Sequence, residues 1–240
     1  RLGDDALVLA QRLSEWSAKA PELEEDVALT NIALDLLGQA RALLSYAGQV
    51  EGGGRDEDAL AFLREERDFS NVQLVEQPNG DFAQTIARQL FFSTWQLALY
   101  GELSSSTDET IAAVAAKGVK EVAYHRDHAV QWTLRLGDGT PESHERMQAG
   151  LDRMWPFIAE LFTSDDVERV LTEQGVAVDV STLRTGWEET VGAVLEEATL
   201  ERPDASWTAR GGRRGLHTES FGYLLAEMQH LHRSHPGARW

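Results

Sequence analysis

The segment from Glu22 to Ala47 constrains the fold more than any other part of the chain. It has an acidic first turn, which suits the positive end of a helix dipole, and it stops at Gly48 and the loop of glycines 52–54. Its large apolar residues fall on two helix faces: Leu34, Leu37 and Leu44 on one, and Leu29, Ile32, Leu36 and Leu43 on the other. A helix with so much apolar surface lies at the centre of a domain or against another subunit.

Similar spacing predicts helices along the whole chain, which has only 6 prolines to interrupt them. We predict helices over 4–19, 22–47, 56–76 and 81–103, and a fifth from the break at Ser104–Asp108 to Leu136. Further helices are predicted over 142–162, 165–174, 181–200 and 217–233. The β-branched run at 176–180 is too short and isolated to form a sheet, so the predicted class is all-α.

Two helical hairpins, 4–47 and 81–136, would be separated by the helix at 56–76. This order matches a ferritin-like four-helix bundle with one long crossover. We therefore predict a single domain over residues 1–240, with the bundle core at about 4–136 and additional C-terminal helices at about 142–233.

Composition excludes several classes of function. The chain has 22 Lys and Arg against 40 Asp and Glu, a net charge of −18, which disfavours nucleic acid and anionic membrane surfaces as partners. It has no cysteine, so thiolate catalysis, iron–sulfur clusters and disulfides are excluded, and any metal would need His and carboxylate ligands. No apolar run approaches the length of a membrane span, and we expect a cytoplasmic protein.

A ferritin-like bundle raises the question of a di-iron site. Such a site takes a Glu from each of two helices and a Glu-x-x-His from each of the other two. The helix at 81–103 has no Asp, Glu or His between Asp81 and Glu102, and the second helix contains only Asp35 between Val27 and Val50. The fifth helix has Glu121 and His125 four apart, but no acid at position 122. From the residues alone, most of the expected ligands are missing.

Two interpretations stay open for these residues. In the first, Glu121 and His125 form hydrogen bonds in the core, and Asp35 pairs with Arg41, Arg88 or His125. In the second, the chain is a stand-alone di-iron oxygenase with an atypical site built from Glu121, His125, Glu227 and His230. Glu227 and His230 form a single Glu-x-x-His pair in the last helix, a spacing that also arises by coincidence on a solvated or interface helix.

A glycine-rich loop carries three cations, Arg210, Arg213 and Arg214, in a strongly acidic chain. Guanidinium groups in such a loop can bind a CoA phosphate or an acidic partner surface, and a solvated loop is the alternative. Four tryptophans, Trp95, Trp132, Trp155 and Trp187, follow helical patterns and are predicted to be core or interface anchors.

Five segments of the chain resemble a known family. They are Leu2-Gly-Asp-Asp-Ala-Leu-Val-Leu-Ala-Gln-Arg, Ile32-Ala-Leu-Asp-Leu-Leu-Gly-Gln-Ala-Arg, Phe69-Ser-Asn-Val-Gln-Leu-Val-Glu-Gln-Pro-Asn-Gly-Asp-Phe-Ala, Lys120-Glu-Val-Ala-Tyr-His and Gly215-Leu-His-Thr-Glu. These segments are similar to the PaaC family, the non-catalytic ferritin-like subunits of bacterial phenylacetyl-CoA epoxidase. The resemblance extends over essentially the whole chain.

The resemblance implies a role in aerobic phenylacetate degradation, as a structural and regulatory subunit of an oxygenase complex without a catalytic centre of its own. In that complex a PaaA-like subunit holds the di-iron site, and the aromatic ring of phenylacetyl-CoA is epoxidised with O2 and NADPH-derived electrons delivered by a reductase subunit. This chain would hold no cofactor. Its partners would be the PaaA-like subunit, other epoxidase subunits and a second copy of itself.

The resemblance also implies a degenerate metal site. Leu36 and Gln39 would occupy the place of one Glu-x-x-His, and Val122 and His125 the place of the other. Of these four residues, only His125 would still be of a type that binds iron. A general interaction protein outside aromatic catabolism is the third hypothesis, which co-purification with a ferritin-like protein that has both Glu-x-x-His pairs would exclude.

Overall fold

The computed structural model describes residues 1–238 and, within that range, contains helices and connecting segments but no strand. The predicted all-α class is confirmed, and the helices are consistent with a ferritin-like fold. The described chain divides into two compact units, one made of residues 1–78 with the chain from Arg210 onward, the other of Asn79–Ala209. The single domain over 1–240 stays a prediction.

Nine α-helices lie within residues 1–238: α1 (Leu2–Ser14), α2 (Leu23–Glu51), α3 (Glu57–Phe62), α4 (Phe82–Leu103), α5 (Glu109–Gly137), α6 (Pro141–Met154), α7 (Asp166–Glu173), α8 (Arg184–Glu197) and α9 (Glu219–Ser234). Short 3₁₀ helices cover Glu66–Asp68, Trp155–Phe162, Val180–Leu183 and Gly212–Arg214.

In the first unit, α1 packs along α2, and α9 packs against α1 and α3. Helix α2 ends at Glu51. Its C-cap residue, Gly52, adopts a left-handed φ of 69° that a residue with a Cβ would adopt only with strain. One face of α2 is buried through Leu29, Ile32, Leu36 and Leu44. Its other face, with Leu34 and Leu37, is exposed. The predicted grouping is wrong at two positions, because Leu44 lies on the buried face and Leu43 is only half-buried.

In the second unit, α4 is the central helix and packs against α5, α6 and α8. Asp81 caps its first turn by accepting a 2.9 Å hydrogen bond from the backbone N–H of Gln84. Helix α6 approaches α4 closely at Gly150, where a Cβ would lie 2.9 Å from the Cα of Gln84. Trp187 of α8 is buried and donates a 2.9 Å hydrogen bond to the carbonyl of Phe91, as predicted for a core anchor.

The predicted helix over 56–76 is wrong beyond Phe62. Residues 69–78 form an irregular, largely buried segment. Its backbone N–H groups at Ser70 and Val72 donate hydrogen bonds to Asp4 and Asp5 of α1, respectively. Buried apolar residues at positions 69, 72 and 75 recur at a spacing of three, which imitates a helix in the sequence. Tertiary hydrogen bonds therefore replace the helical ones here.

The second helix continues through Gly48, its predicted stop, to Glu51. Three further helix bounds differ from prediction. The first helix ends at Ser14 instead of residue 19, and Ala18 has a φ of 62° in the turn that follows. The segment predicted as a helix over 142–162 changes to 3₁₀ geometry after Met154, because Pro156 lacks an N–H and cannot continue an α-helix. The helix predicted from 181 begins with a 3₁₀ turn and ends at Glu197.

Among the described helices, α2 is long and apolar enough to cross a membrane, with a mean hydropathy of 1.3 over one 18-residue window. This finding corrects the expectation that no apolar run approaches the required length. The core helix of a soluble protein passes the same test, so a single such helix is weak support for a membrane span.

Candidate functional site

The positions of α2 that would match a Glu-x-x-His pair are buried in the first unit. Leu36 is fully buried and Gln39 nearly so, while the neighbouring Leu34 and Leu37 are 59% and 47% exposed. Asp35, one position before Leu36, is half-buried. The interior side of this helix turn thus presents an alkyl group and a neutral amide, neither of which supplies the anionic oxygen that iron needs in such a site.

The corresponding positions of α5 are buried in the second unit. Val122 is fully buried and His125 is 1% exposed. Glu121 is half-buried and pairs at 3.3 Å with Lys117, an exposed residue one turn earlier. The two residues that the sequence offers as ligands on this helix therefore differ in burial, and the position that should carry the interior carboxylate holds an alkyl side chain.

Helix α4 places only neutral or cationic polar groups in the interior of the second unit. Its buried polar residues are Gln84, Thr85, Arg88, Gln89, Ser93, Thr94 and Gln96. Arg88 donates a 2.6 Å hydrogen bond to the side-chain oxygen of Asn79. A buried guanidinium disfavours a cation nearby, and no residue of α4 before Glu102 can provide an anionic ligand.

Glu227 and His230 of the alternative oxygenase site are both exposed on α9. Within residues 1–238, no three His, Asp or Glu side chains lie close enough together to hold a metal ion. The residues present at the positions expected from the resemblance thus do not fit a di-iron centre.

The buried acids of the first unit lie elsewhere, in a cluster that we call the ion-pair cluster. It contains three pairs, Asp4 with Arg64, Asp5 with Arg213, and Glu76 with His217. The distance from Asp5 Oδ2 to Arg213 Nη1 is 2.8 Å, and that from Glu76 Oε2 to His217 Nδ1 is 2.8 Å. The pairs of Asp5 and Glu76 join α1 and the irregular segment 69–78 to the chain that precedes α9, and the pair of Asp4 joins α1 to the turn after α3.

Glu76 is the most fully bonded acid of the ion-pair cluster. Its carboxylate accepts hydrogen bonds from the backbone N–H of Thr218 at 2.6 Å and from the amide of Asn71 at 2.9 Å, besides the contact with His217. Its backbone carbonyl accepts two hydrogen bonds from Arg12, at 3.0 and 2.7 Å. Every oxygen of Glu76 is thus bonded within the first unit, so the residue serves the architecture of that unit.

Burial and pairing shift two pKa values of the cluster upward. Burial raises the pKa of Asp5, and the charge of Arg213 opposes that rise only in part. For His217, burial disfavours the charged form, but the hydrogen bond and the negative charge of Glu76 outweigh it and raise the pKa above its ordinary value. The imidazole ring also lies against Phe221, with ring centroids 4.3 Å apart.

The three arginines of the glycine-rich loop have different surroundings. Arg213 is 10% exposed and bonds internally, to Asp5 and to the carbonyl of Ser70 at 3.0 Å. Arg210 and Arg214 are exposed. Contact of these two with an anion or a partner stays a prediction, whereas the guanidinium of Arg213 is already bonded within the chain.

The sequence did not reveal that these residues form one ion-pair cluster. A signal for their importance was present, because Asp4, Asp5, Glu76 and His217 all lie in segments that resemble the PaaC family. Their pairing could not be inferred from spacing, since Asp5 and Arg213 are 208 positions apart. A long segment that resembles a family but carries no catalytic motif is therefore a candidate for part of a buried polar network.

The comparisons with known proteins agree with the resemblance. A family model described as "Phenylacetic acid catabolic protein" matches residues 1–240. A relative from Escherichia coli (strain K12), one of the subunits of 1,2-phenylacetyl-CoA epoxidase, is 54% identical over 240 residues, which cover all of this chain and 96% of the relative. The chain belongs to the family of phenylacetic acid catabolic proteins.

Proposed function

We propose that this chain is a non-catalytic subunit of a phenylacetyl-CoA epoxidase and that it supports a separate ferritin-like subunit that holds the di-iron site. The E. coli relative is named as one subunit of such an epoxidase, and a 54% identity over the full chain makes a shared assembly the simplest interpretation.

One observation carries the non-catalytic part of the proposal. Leu36 and Val122, at the positions where the resemblance would place metal-binding glutamates, are fully buried alkyl side chains. A buried carboxylate without a cation is costly, and a family member that no longer binds metal is expected to replace it with an apolar residue. The cofactor would then belong to the partner, and this chain's residues would contribute neither ligands nor acid–base groups to the reaction.

Reconstitution tests the proposal. A di-iron subunit, its reductase and this chain are purified separately, and epoxidation of phenylacetyl-CoA is measured with and without this chain. We expect activity to depend on adding the chain and to survive in the variants Glu121→Gln/His125→Gln and Glu227→Gln/His230→Gln, once thermal denaturation has shown that they are folded.

Loss of epoxidation in either folded double variant, with complex formation unchanged, would favour the stand-alone oxygenase instead. Failure of the chain to associate with any epoxidase subunit would favour a general interaction protein. Either result would overturn the proposal.

A further inference from the structure

Helix α2 exposes an apolar seam with heptad spacing. Its members are Leu23, Val27, Thr30, Leu34 and Leu37, which follow one another at intervals of 4, 3, 4 and 3 residues. The four apolar members are 77%, 54%, 59% and 47% exposed, and Thr30 is half-buried. Alternating steps of four and three keep side chains on one stripe of a helix, the pattern by which a helix packs against another helix.

The seam borders a groove between α1 and α2 of about 170 Å³. Leu34 and Leu37 form one wall of this groove, and Leu7 and Ala10 of α1 form part of the other. From Leu23 to Leu37 the seam is about 21 Å long at 1.5 Å per residue. A helix laid along it would contact both α1 and α2, with side chains entering the groove as knobs enter holes.

The charges beside the seam select among possible occupants. The positions that flank it near its start carry Glu24 and Asp26, both of which reach solvent, and the nearest cation along the stripe is Arg41 after its end. A second copy laid parallel would bring the same acidic flanks, and one laid antiparallel would offer them only Arg41, which already pairs with Glu57 at 3.2 Å. In either orientation it adds another net charge of −18. An anionic membrane surface would be repelled in the same way. A helix with basic residues beside its apolar stripe is the complementary occupant.

We infer that the α2 seam docks a helix of another epoxidase subunit, one with apolar residues at 3–4 spacing flanked by Lys or Arg. This inference rests on the proposed function and adds to it the surface through which the chain supports its partner. The same helix thus buries the positions that lack metal ligands on one side and presents a contact surface on the other.

The test uses the double variant Leu34→Lys/Leu37→Lys in the full-length chain. Both residues are exposed, so the fold should be retained, and circular dichroism and melting temperature check this. The matched control is Val167→Lys/Val170→Lys, which changes two apolar residues of α7 that are 53% and 51% exposed and adds the same charge. Affinity for the purified di-iron subunit is measured by titration calorimetry.

We expect the seam variant to bind about 100-fold more weakly or worse, because each lost apolar anchor at the centre of an interface costs about tenfold. The control should bind as the unaltered chain does. Glu24→Gln/Asp26→Asn should weaken binding by less and should flatten its dependence on salt concentration.

Other results would overturn the inference. Equal affinity of the seam variant and the unaltered chain would place the interface elsewhere, whereas absence of binding by the unaltered chain would instead contradict the proposed function. A dimer of the unaltered chain that the seam variant abolishes, with partner binding intact, would assign the seam to a second copy. Binding to vesicles of phosphatidylcholine and phosphatidylglycerol, lost in the seam variant, would assign it to a membrane.

Discussion

Two sets of buried residues in this chain differ in whether they include acids. The positions that the resemblance relates to a metal site, Leu36 and Gln39 in the first unit and Val122 and His125 in the second, contain no carboxylate. The ion-pair cluster encloses Asp4, Asp5 and Glu76 together with their partners Arg64, Arg213 and His217. Acids are therefore buried in this chain where fixed partners bond to them, and they are absent from the positions where a metal ion would be needed to neutralise them.

Breaking one pair of the cluster should have the largest effect. Arg213→Met leaves Asp5 buried beside an uncharged side chain, and we expect a loss of about 3–5 kcal/mol in the free energy of unfolding. Urea denaturation measures it. Arg210→Met and Arg214→Met, in the same loop but exposed, serve as controls and should change it by less than about 0.5 kcal/mol. Equal losses from all three substitutions would contradict the distinction between the paired Arg213 and its two exposed neighbours.

Placing an acid at Leu36, where the resemblance implies a degenerate ligand position, should cost nearly as much. Leu36→Glu buries a carboxylate without a partner cation, so we expect a loss of about 3 kcal/mol at neutral pH. Burial raises the pKa of such a group, so the loss should shrink as the pH falls through that raised value. The control Leu34→Glu, on the exposed face of α2, should cost less than about 0.5 kcal/mol. Chemical denaturation at several pH values tests this.

The pH dependence of stability should report on His217. Its pKa is raised in the folded chain, so its contribution is complete below the ordinary value of about 6.5 and is lost as the pH rises through the raised value. Unfolding free energy measured from pH 6 upward should therefore decline in the unaltered chain. His217→Gln should remove that part of the decline, and an unchanged profile would show that His217 does not titrate in this window.

The smallest effect should come from Glu121, the half-buried acid of α5. Its partner Lys117 is exposed, so the pair is screened by solvent, and Glu121→Gln should change the unfolding free energy by less than about 0.5 kcal/mol. Glu76→Gln, which alters an acid of the ion-pair cluster, is the contrasting variant and should cost several times more. A large effect at Glu121 would indicate that this acid has a role in the interior.

Much of the fold followed from the sequence because helical periodicity is a local property. The long apolar helices α2 and α4 were predicted within a few residues of their ends, and the caps at Gly52 and Asp81 explain why. The segment 69–78 was not predictable in this way, since its backbone is held by Asp4 and Asp5 from more than 60 positions away. Local pattern cannot reveal a conformation that distant side chains impose.

The candidate site was predictable in part for the same reason. The scarcity of carboxylates on α2 and α4 is visible in the sequence residue by residue. That Leu36 and Val122 stand in the places of metal-binding glutamates is implied by the family resemblance and stays a prediction. The ion pair between Arg213 and Asp5 could not be predicted from the sequence, because nothing in a glycine-rich loop distinguishes a buried arginine from its exposed neighbours.

We propose that this chain keeps the helical fold of its family without holding a metal centre. The most direct test of this proposal is the metal content of the chain purified alone, reconstituted with ferrous iron under anaerobic conditions, dialysed, and analysed by mass spectrometry. We predict that no iron is retained in stoichiometric amount, while a relative with both Glu-x-x-His pairs, treated identically, retains it. A pair of iron ions bound per chain would contradict the account.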